Sequence, residues 1–214
     1  MYVPSSFHLD DDAAWAFVAR HPFGLLLSAD ADGAVEGTHL PVAARERGGR
    51  RELIAHLARA NPQWRRLDGA AATLVFQGVH GYVSPTWYAA PDAVPTWNYA
   101  AVHVRGRCRL GTRDDLLDHM ERTAAAYEPA GADGSRWSTA RLPPELRERL
   151  LAAVVPVVVA VEALDGKAKL SQNRSAADVD GVLAALEARG DADSLALAAA
   201  MREARPSSHE RGTS

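Results

Sequence analysis

A series of strand-like segments joined by short turns constrains the fold of this chain more than any other feature. Residues 22–30 and 34–44 flank the turn Ala31-Asp32-Gly33, and an Asp-Gly turn between apolar segments favours a tight β-hairpin. Further strand-like segments lie at 51–58, 71–78, 96–111 and 155–164, with a turn predicted at 45–50. Because the strands come mostly as hairpins rather than alternating βαβ units, we predict an α+β fold with an antiparallel sheet or small barrel.

Helix signals fall between these strands and after them. Acidic residues 10–12 predict a helix over 13–20, Asn61-Pro62 predicts a short one over 64–67, and Thr112 predicts one that reaches Tyr127. Pro143-Pro144 predicts a helix to about residue 152, and Ser175 with Asp178 forms a capping box that predicts a C-terminal helix. The sequence contains no internal repeat and no linker that would divide it. We therefore predict one domain over residues 1–205, with inserted helices, a helical C-terminal part and a disordered polar tail at 206–214.

Composition excludes several classes of protein. The net charge is −3, from 24 basic and 27 acidic residues, whereas dedicated nucleic-acid binders are usually strongly basic. The single cysteine, Cys108, cannot form an intrachain disulfide. The first residues have no signal-peptide pattern, and the longest apolar segment, 150–161, is broken by Pro156 and too short to span a bilayer. We expect a cytoplasmic protein with no membrane contact.

Residues 80–104 contain an unusual concentration of aromatic side chains. Trp87, Trp97, Tyr82, Tyr88 and Tyr99 all fall in this segment, together with several prolines. Tryptophan and tyrosine combine a flat apolar face with one polar group, and prolines stiffen the connecting chain. The segment fits either a slot for a planar ligand or an aromatic plug beneath a long loop.

A second candidate site lies at residues 56–64, HLARANPQW. His56, Arg59 and the first-turn amides after Asn61 would meet at a strand-to-helix junction. Free N–H groups and an arginine at a helix start suit a phosphate group. The alternative is a capped surface helix with a solvated arginine.

Arginine and lysine are unevenly distributed. Arg105, Arg107 and Arg109 alternate along a predicted strand, so they share one face, and Cys108 points to the other, where a buried and inert thiol is expected. The arginine face is a solvated surface, a dimer contact or an anion patch. Only two lysines occur, Lys167 and Lys169, and their proximity suggests a role for a compact ammonium group.

Other chemistries find no support in the sequence. The chain has no Gly-x-Ser-x-Gly nucleophile elbow, no His-Glu-x-x-His motif and no glycine-rich Rossmann or P-loop fingerprint. The eight histidines are scattered. We predict no metal site and assign no catalytic residues.

Five segments, in this order, resemble the PaiB family, described as FMN-binding negative transcriptional regulators. They are residues 1–7 (MYVPSSF), 56–64 (HLARANPQW), 75–88 (VFQGVHGYVSPTWY), 94–106 (VPTWNYAAVHVRG) and 167–174 (KAKLSQNR). The resemblance covers residues 1–185 or so. It implies an antiparallel split β-barrel of the FMN-binding type, and a homodimer with FMN at the subunit interface.

The resemblance also implies which residues hold FMN. Arg59 and His56 would lie near the phosphate, the 84–88 and 94–99 segments would line the flavin ring and ribityl chain, and a late loop would add the rest. The full set is His56, Arg59, Asn61, His80, Tyr82, Ser84, Trp87, Trp97, Asn98, Lys169, Gln172 and Asn173. One position departs from the family pattern. The family more often has Gly-Pro-His where this chain has Gly78-Val79-His80, so Val79 replaces the proline and loosens this loop.

Three functions remain open at this level. The first is an FMN-binding repressor, acting directly on DNA or through a partner. The acidic C-terminal helix suits DNA poorly, so Arg105, Arg107, Arg109 and the turn at 45–51 are the better DNA candidates. The second is a flavin-dependent oxidoreductase of the pyridoxamine-phosphate-oxidase-like group, in which FMN carries the chemistry. The third is a scaffold that acts through protein contacts.

Overall fold

The computed structural model describes residues 1–90, 92–131 and 134–205. Its strands are β1 (His8–Leu9), β2 (Phe23–Ala29), β3 (Val35–Pro41), β4 (Ala43–Arg47), β5 (Arg50–Ala58), β6 (Ala71–Val83), β7 (Thr96–Leu110) and β8 (Val154–Lys169). Its α-helices are α1 (Asp11–Arg20), α2 (Arg113–Tyr127), α3 (Pro144–Ala152), α4 (Ala176–Arg189) and α5 (Ala192–Glu203). The 3-10 helices are Ser5–Phe7, Pro62–Arg66, Pro85–Trp87 and Thr139–Arg141. The tail predicted at 206–214 lies outside the described residues.

The chain divides into two compact units. Residues 15–76 and 103–164 form one, which we call the sheet unit; residues 1–14, 77–102 and 165 onward form the other, which we call the helical unit. Helix α1 and strands β6, β7 and β8 contribute residues to both units. The single domain expected over 1–205 stays a prediction.

The sheet unit contains the hairpin predicted from the Asp-Gly turn. Strands β2 and β3 pair antiparallel, with Leu27 opposite Gly37. The Asp30 carboxylate accepts hydrogen bonds from the backbone N–H groups of Asp32 and Ala34, and Gly33 adopts the left-handed φ of 82° that this turn requires. Local side-chain chemistry therefore sets the register of this hairpin.

Strand order in the sheet is β3-β2-β6-β7-β8-β5-β4, and the registered pairs are antiparallel. Buried apolar side chains such as Leu26, Ile54 and Phe76 form the core of the sheet unit. At Gly106 a Cβ atom would overlap the backbone carbonyl of Ala160, so only glycine lets β7 and β8 approach this closely.

Helix α2 begins at the predicted cap. The Thr112 hydroxyl accepts a hydrogen bond from the Asp115 N–H at 3.2 Å, and the Asp115 carboxylate accepts one from the Thr112 N–H at 2.9 Å. This reciprocal pair is the capping box, and it satisfies N–H groups that the helix start would otherwise leave free.

Several predicted boundaries are corrected by long-range pairing. Strand β6 continues to Val83 and β8 runs from Val154 to Lys169, so Lys169 ends a strand rather than lying in a late loop. The turn predicted at 45–50 shrinks to Gly48-Gly49, because β4 and β5 pair up to Arg47 and Arg50. Both glycines have positive φ, which lets the chain turn this tightly.

The C-terminal helical part consists of α4 and α5, separated at Gly190, which caps α4 with a left-handed φ of 68°. Ser175 caps α4 as expected, since its hydroxyl accepts a hydrogen bond from the Asp178 N–H. The expected reciprocal bond is replaced, because the Asp178 carboxylate instead accepts the N–H groups of Ala89 and Ala90 at 2.9 and 3.1 Å. Asp178 therefore anchors a loop.

On β7 the predicted alternation is confirmed. Arg105 and Arg107 are exposed and Cys108 is buried, which raises the pKa of the Cys108 thiol to about 11.

In the described part of the chain, no helix is long and apolar enough to span a membrane. The same residues include no group of three or more His, Cys, Asp or Glu side chains placed to hold a metal ion.

Candidate functional site

Three aromatic side chains of the helical unit form a cluster on adjacent strands. His80 and Tyr82 are two residues apart on β6, and both rings lie near Trp97 on β7. The His80 and Trp97 centroids are 6.3 Å apart with nearly parallel rings, and the Tyr82 ring meets Trp97 edge-on at 6.2 Å. Trp97 is 54% exposed and Tyr82 is 41% exposed. We call these three residues the ring cluster.

A cavity of about 240 Å³ adjoins the ring cluster. Its other walls come from α4 and α5 and include Arg189, Ser194 and Leu197. Gly81 makes this packing possible, because a Cβ atom there would lie 2.7 Å from the Leu197 side chain. The wall also carries two carboxylates, Asp191 and Asp193, and Asp191 accepts the Ser194 hydroxyl at 2.8 Å and lies 3.4 Å from Arg189. The cavity therefore combines flat apolar faces with an internally paired polar rim, which suits the ring of a planar ligand.

Ser84 and Trp87, two other candidates from the aromatic segment, make contacts that position the backbone. The Ser84 hydroxyl caps the 3-10 helix Pro85–Trp87 by accepting the Thr86 N–H at 3.2 Å. The Trp87 carbonyl lies so close to Gly181 of α4 that a Cβ at Gly181 would overlap it. Ser84 and Trp87 thus fix the position of this loop against α4 within the helical unit.

Asn98 is fully buried. Its Nδ2 group donates to the Ser171 hydroxyl at 2.9 Å and contacts the Met201 sulfur at 3.5 Å. Ser171 has a left-handed φ of 69°, which is uncommon for a residue with a side chain. Sequence reasoning missed Ser171, since no local pattern distinguishes it. Asn98 therefore ties β7 to the chain after β8.

The end of β8 places the Lys169 ammonium group beside β7, the strand that carries Trp97. The Lys169 ammonium donates to the Thr96 hydroxyl, next in sequence to Trp97. Gln172 is used locally, because its amide bonds the Leu170 N–H at 2.7 Å and the Ala168 carbonyl at 2.6 Å. Asn173 is exposed. Of these three candidates, Lys169 is the one that lies near the ring cluster.

The sheet unit holds the predicted phosphate residues. Arg59 donates from Nε to the Ala152 carbonyl at 2.6 Å and from Nη2 to the Val154 carbonyl at 3.1 Å. Within the described residues its Nη1 group makes no hydrogen bond. The Nε and Nη2 groups of Arg59 therefore bond to backbone carbonyls, and its Nη1 group is the part that is available to bind an anion.

Asn61 caps the short helix as predicted. Its side-chain oxygen accepts the Gln63 N–H at 2.9 Å, and its Nδ2 group donates to the Thr38 hydroxyl at 2.9 Å. Thr38 in turn donates to the Gln63 side chain at 2.6 Å. One first-turn amide expected to meet phosphate is thus already occupied by Asn61, and Thr38 is a contributor that sequence reasoning missed.

His56 has a different neighbour from the one expected. Its ring lies against His119 of α2, with centroids 5.1 Å apart, and both rings line a cavity under α2 and α3. Burial lowers the pKa of His56, and burial together with the charge of His56 lowers the pKa of His119 to about 4. Nothing in the sequence pairs positions 56 and 119.

The arginine face of β7 is largely engaged. Arg109 donates to the buried Asp115 carboxylate at 2.7 Å, and Arg107 donates to the Gly69 carbonyl at 3.2 Å. Arg107 also lies 3.6 Å from Glu162. Arg109 therefore belongs to an internal ion network rather than to an open anion patch.

Comparison with known structures defines the fold class. The flavocytochrome Anf3 from Azotobacter vinelandii superposes with a TM-score of 0.52 at 16% identity, covering 74% of this chain and 67% of that one. The FAD and heme binding protein from Mycobacterium smegmatis gives a TM-score of 0.50 at 16% identity over 75% of this chain and 71% of that one. The predicted α+β antiparallel split-barrel fold is confirmed.

Sequence comparison defines the family. The model of the family described as "Putative FMN-binding domain" matches residues 1–163, so the chain belongs to this family. The Bacillus subtilis protein named protease synthase and sporulation protein PAI 2 is 32% identical over 205 residues, covering 95% of this chain and 97% of that protein. A yeast protein, YKL070W, is 33% identical over 138 residues, covering 54% of this chain and 81% of its own length. The resemblance to the PaiB family is confirmed.

Proposed function

We propose that this protein binds FMN and acts as a negative regulator of transcription, as a homodimer with FMN at the subunit interface. Family membership over residues 1–163 supports the flavin. The regulatory role is what the resemblance to the PaiB family implies, and the similarity to the PAI 2 protein over nearly the whole chain supports that resemblance. The single observation in the structure that carries the flavin proposal is the exposed ring cluster beside its cavity.

The side chains present fit FMN in each unit considered by itself. In the helical unit, exposed Trp97 and Tyr82 offer faces on which a flat tricyclic ring can stack. The Lys169 ammonium supplies positive charge for the electron-rich edge of such a ring. In the sheet unit, the outer end of Arg59 is suited to a phosphate. Bound FMN would supply hydride or single-electron chemistry, and these residues would bind and orient it.

The flavin proposal is tested by the absorbance spectrum of the protein after incubation with FMN and desalting. The wild type should retain a flavin spectrum, and both Trp97→Ala and Arg59→Ala should lose most of it. Trp15→Ala and Arg65→Ala are the matched controls; Arg65 contacts the Trp64 ring as Arg59 does, with centroid distances of 5.7 and 5.9 Å. A colourless wild type would refute FMN binding and favour a scaffold role.

The regulatory role is tested by gel shift with DNA from upstream of the protein's own gene. Direct repression predicts a shift at low salt that weakens steeply as salt rises. Arg105→Ser combined with Arg107→Ser should then weaken the shift. If no DNA binds at low salt, repression through a protein partner remains, and direct DNA contact is refuted.

The alternative function is a flavin-dependent oxidoreductase. One observation favours it: the ring cluster is partly open to solvent and adjoins a cavity, so a second small molecule has room to approach a stacked flavin. Anaerobic addition of NADPH or NADH to the flavin-loaded protein tests this. Bleaching of the flavin at a rate that free FMN does not show would support the oxidoreductase, and an unreduced flavin would refute use of these donors.

A further inference from the structure

A second cavity lies entirely within the sheet unit, away from the residues assigned to FMN except His56. Its volume is about 330 Å³, which is within the range of small-molecule sites. Helices α2 and α3 and the segment between them supply most of the wall, and the lining is largely apolar. The apolar contributors include Met120, Ala124, Trp137, Leu142 and Leu151.

Two imidazole rings break this apolar lining. His119 is 1% exposed, and its Nδ1 atom has no hydrogen-bond partner among the described residues. The Nδ1 atom of His56, whose ring centroid is 5.1 Å from that of His119, is likewise buried without a partner there. Buried polar groups are nearly always hydrogen-bonded, and leaving one unpaired destabilises the fold. These two Nδ1 atoms at one cavity wall offer hydrogen-bonding positions to a molecule inside the cavity.

Exposed apolar side chains also surround this cavity. Tyr127 is 63% exposed, Leu150 47% and Trp137 43%, and all three line the cavity. Large apolar side chains gathered at one place on a surface commonly mark a binding site. Their arrangement offers flat faces to a ring-shaped molecule entering between α2 and α3.

The charges around the cavity favour a neutral ligand. Burial keeps the pKa values of both histidines low, so the two rings are uncharged near pH 7. Among the charged side chains near the rings, Arg147 and Glu128 line the cavity, and Asp118 raises the pKa of His119 only slightly against burial. Arg147 lies 3.6 Å from Glu148, so its charge is partly compensated, although its Nε atom is buried without a hydrogen-bond partner among the described residues. Glu128 carries the opposite charge in the same wall, so the lining has no net charge.

We propose that this cavity binds a neutral aromatic small molecule whose hydroxyl group bonds to His119 or His56. A hydroxyl both donates and accepts, so it can pair with either tautomer of a neutral imidazole. Apart from His56, the proposal uses none of the residues assigned to FMN. It gives the protein a separate site through which a small effector could act.

The test uses two probes of the same shape, 1-naphthol and 1-methylnaphthalene, titrated into the full-length protein at pH 7 by calorimetry. We expect 1-naphthol to bind, and replacement of its hydroxyl by methyl to weaken binding by roughly two- to tenfold, since one neutral hydrogen bond is lost. Absence of binding, equal affinity for both probes, or tighter binding of the anion 1-naphthoate would each overturn the proposal.

Variants localise the site. Ala124→Leu fills the cavity and should abolish binding, whereas Ala126→Leu adds the same atoms to an exposed position of α2 and should not. Either His119→Phe or His56→Phe should remove the preference for 1-naphthol over 1-methylnaphthalene, and a preference retained in both variants would overturn the proposal. If Ala124→Leu fails to fold, Trp137→Ala at an exposed position should weaken both probes instead. The Trp97→Ala variant must retain 1-naphthol binding even if FMN is lost, which separates this proposal from the flavin proposal.

Discussion

Two successive turns of helix α2 treat buried polar groups in opposite ways. At its start, Asp115 is buried but bonded to Arg45 at 2.6 Å, to Arg109 at 2.7 Å and to the Thr112 N–H at 2.9 Å. One turn later, His119 is as deeply buried, and its Nδ1 atom has no partner in the described residues.

Electrostatics follows this difference in pairing. Burial by itself raises the pKa of Asp115, but hydrogen bonds from Arg109, Thr112 and Arg45 outweigh it and leave the pKa well below its usual range. The pKa of His119 is lowered mainly by burial, because nothing stabilises its charged form sufficiently. A saturated network indicates a structural role, whereas the unpaired Nδ1 atom of His119 is open to the ligand proposed above.

The largest effect should come from breaking the network. Arg45→Met leaves the carboxylates of Glu52, Asp115 and Asp118 without their shared cation, and removal of one partner from a buried ion network costs about 3–5 kcal/mol. Urea unfolding at pH 7 measures it. Arg113→Met, which removes an exposed pair with Glu148, should cost at most about 1 kcal/mol. Similar losses in both variants would contradict a structural role for the network.

The contributions of His119 and Asp115 to stability should be lost in different pH ranges. The folded pKa values of His119, His56 and His21 are lowered, so below about 6.5 the unfolded state binds protons that the native state does not. Stability should therefore fall as the pH drops below about 6.5, and the part due to His119 continues to about pH 4 with up to about 1.4 kcal/mol lost per pH unit. Asp115 acts in the other window, because its contribution is lost only as the pH falls below about 3.9, its ordinary value.

Urea unfolding at several pH values checks this separation. His119→Leu should flatten the dependence between pH 6.5 and 4 and leave the loss below pH 3.9 in place. An unchanged slope in this variant would show that His119 is protonated in the native protein.

An intermediate effect is expected at the cap that orients Asp115. Thr112→Ala removes the hydroxyl that accepts the Asp115 N–H and should cost about 1 kcal/mol. Thr112→Ser keeps a hydroxyl and should restore most of that stability. Loss as large as that of Arg45→Met would mean that the cap, rather than the arginines, holds Asp115 in place.

The smallest effect is expected from His119→Leu at pH 7. The substitution removes an unpaired polar ring and replaces it by an apolar group, so the free energy of unfolding should change by less than about 1 kcal/mol. Thermal and urea unfolding at neutral pH measure it. Destabilisation comparable to that of Arg45→Met would show that the ring makes an essential internal contact.

Local chemistry made much of the fold predictable. The Asp-Gly turn gave the first hairpin, Thr112 gave the start of α2, and Asn61 gave the short helix, because each signal acts on the neighbouring backbone. Strand lengths were less predictable. Residues 79–83 and 165–169 carry weak strand signals, and pairing with distant strands extends β6 and β8 through them.

The candidate sites were predictable only in part. The aromatic segment drew attention to Tyr82 and Trp97, and the ring cluster brings them together with His80. The partner of His56 could not be found in the same way, because His119 is far from it in sequence and only the packing of α2 on β5 joins them. Ser84 and Asp178 carry polar groups that could bind a ligand, but a local cap commits Ser84 to the Thr86 N–H and a tertiary contact commits Asp178 to the Ala89 N–H.

Because Cys108 is buried on β7, the rate at which its thiol is alkylated measures how often this strand opens. The Cys108 side chain is buried, and its pKa is raised to about 11, so an alkylating reagent should modify it very slowly while the strand is closed. Since the chain has one cysteine, the labelling rate counts opening events of this strand alone, without any engineered probe. A ligand that stabilises the sheet unit should slow this labelling, so the wild-type protein can be used to measure ligand binding without a substitution.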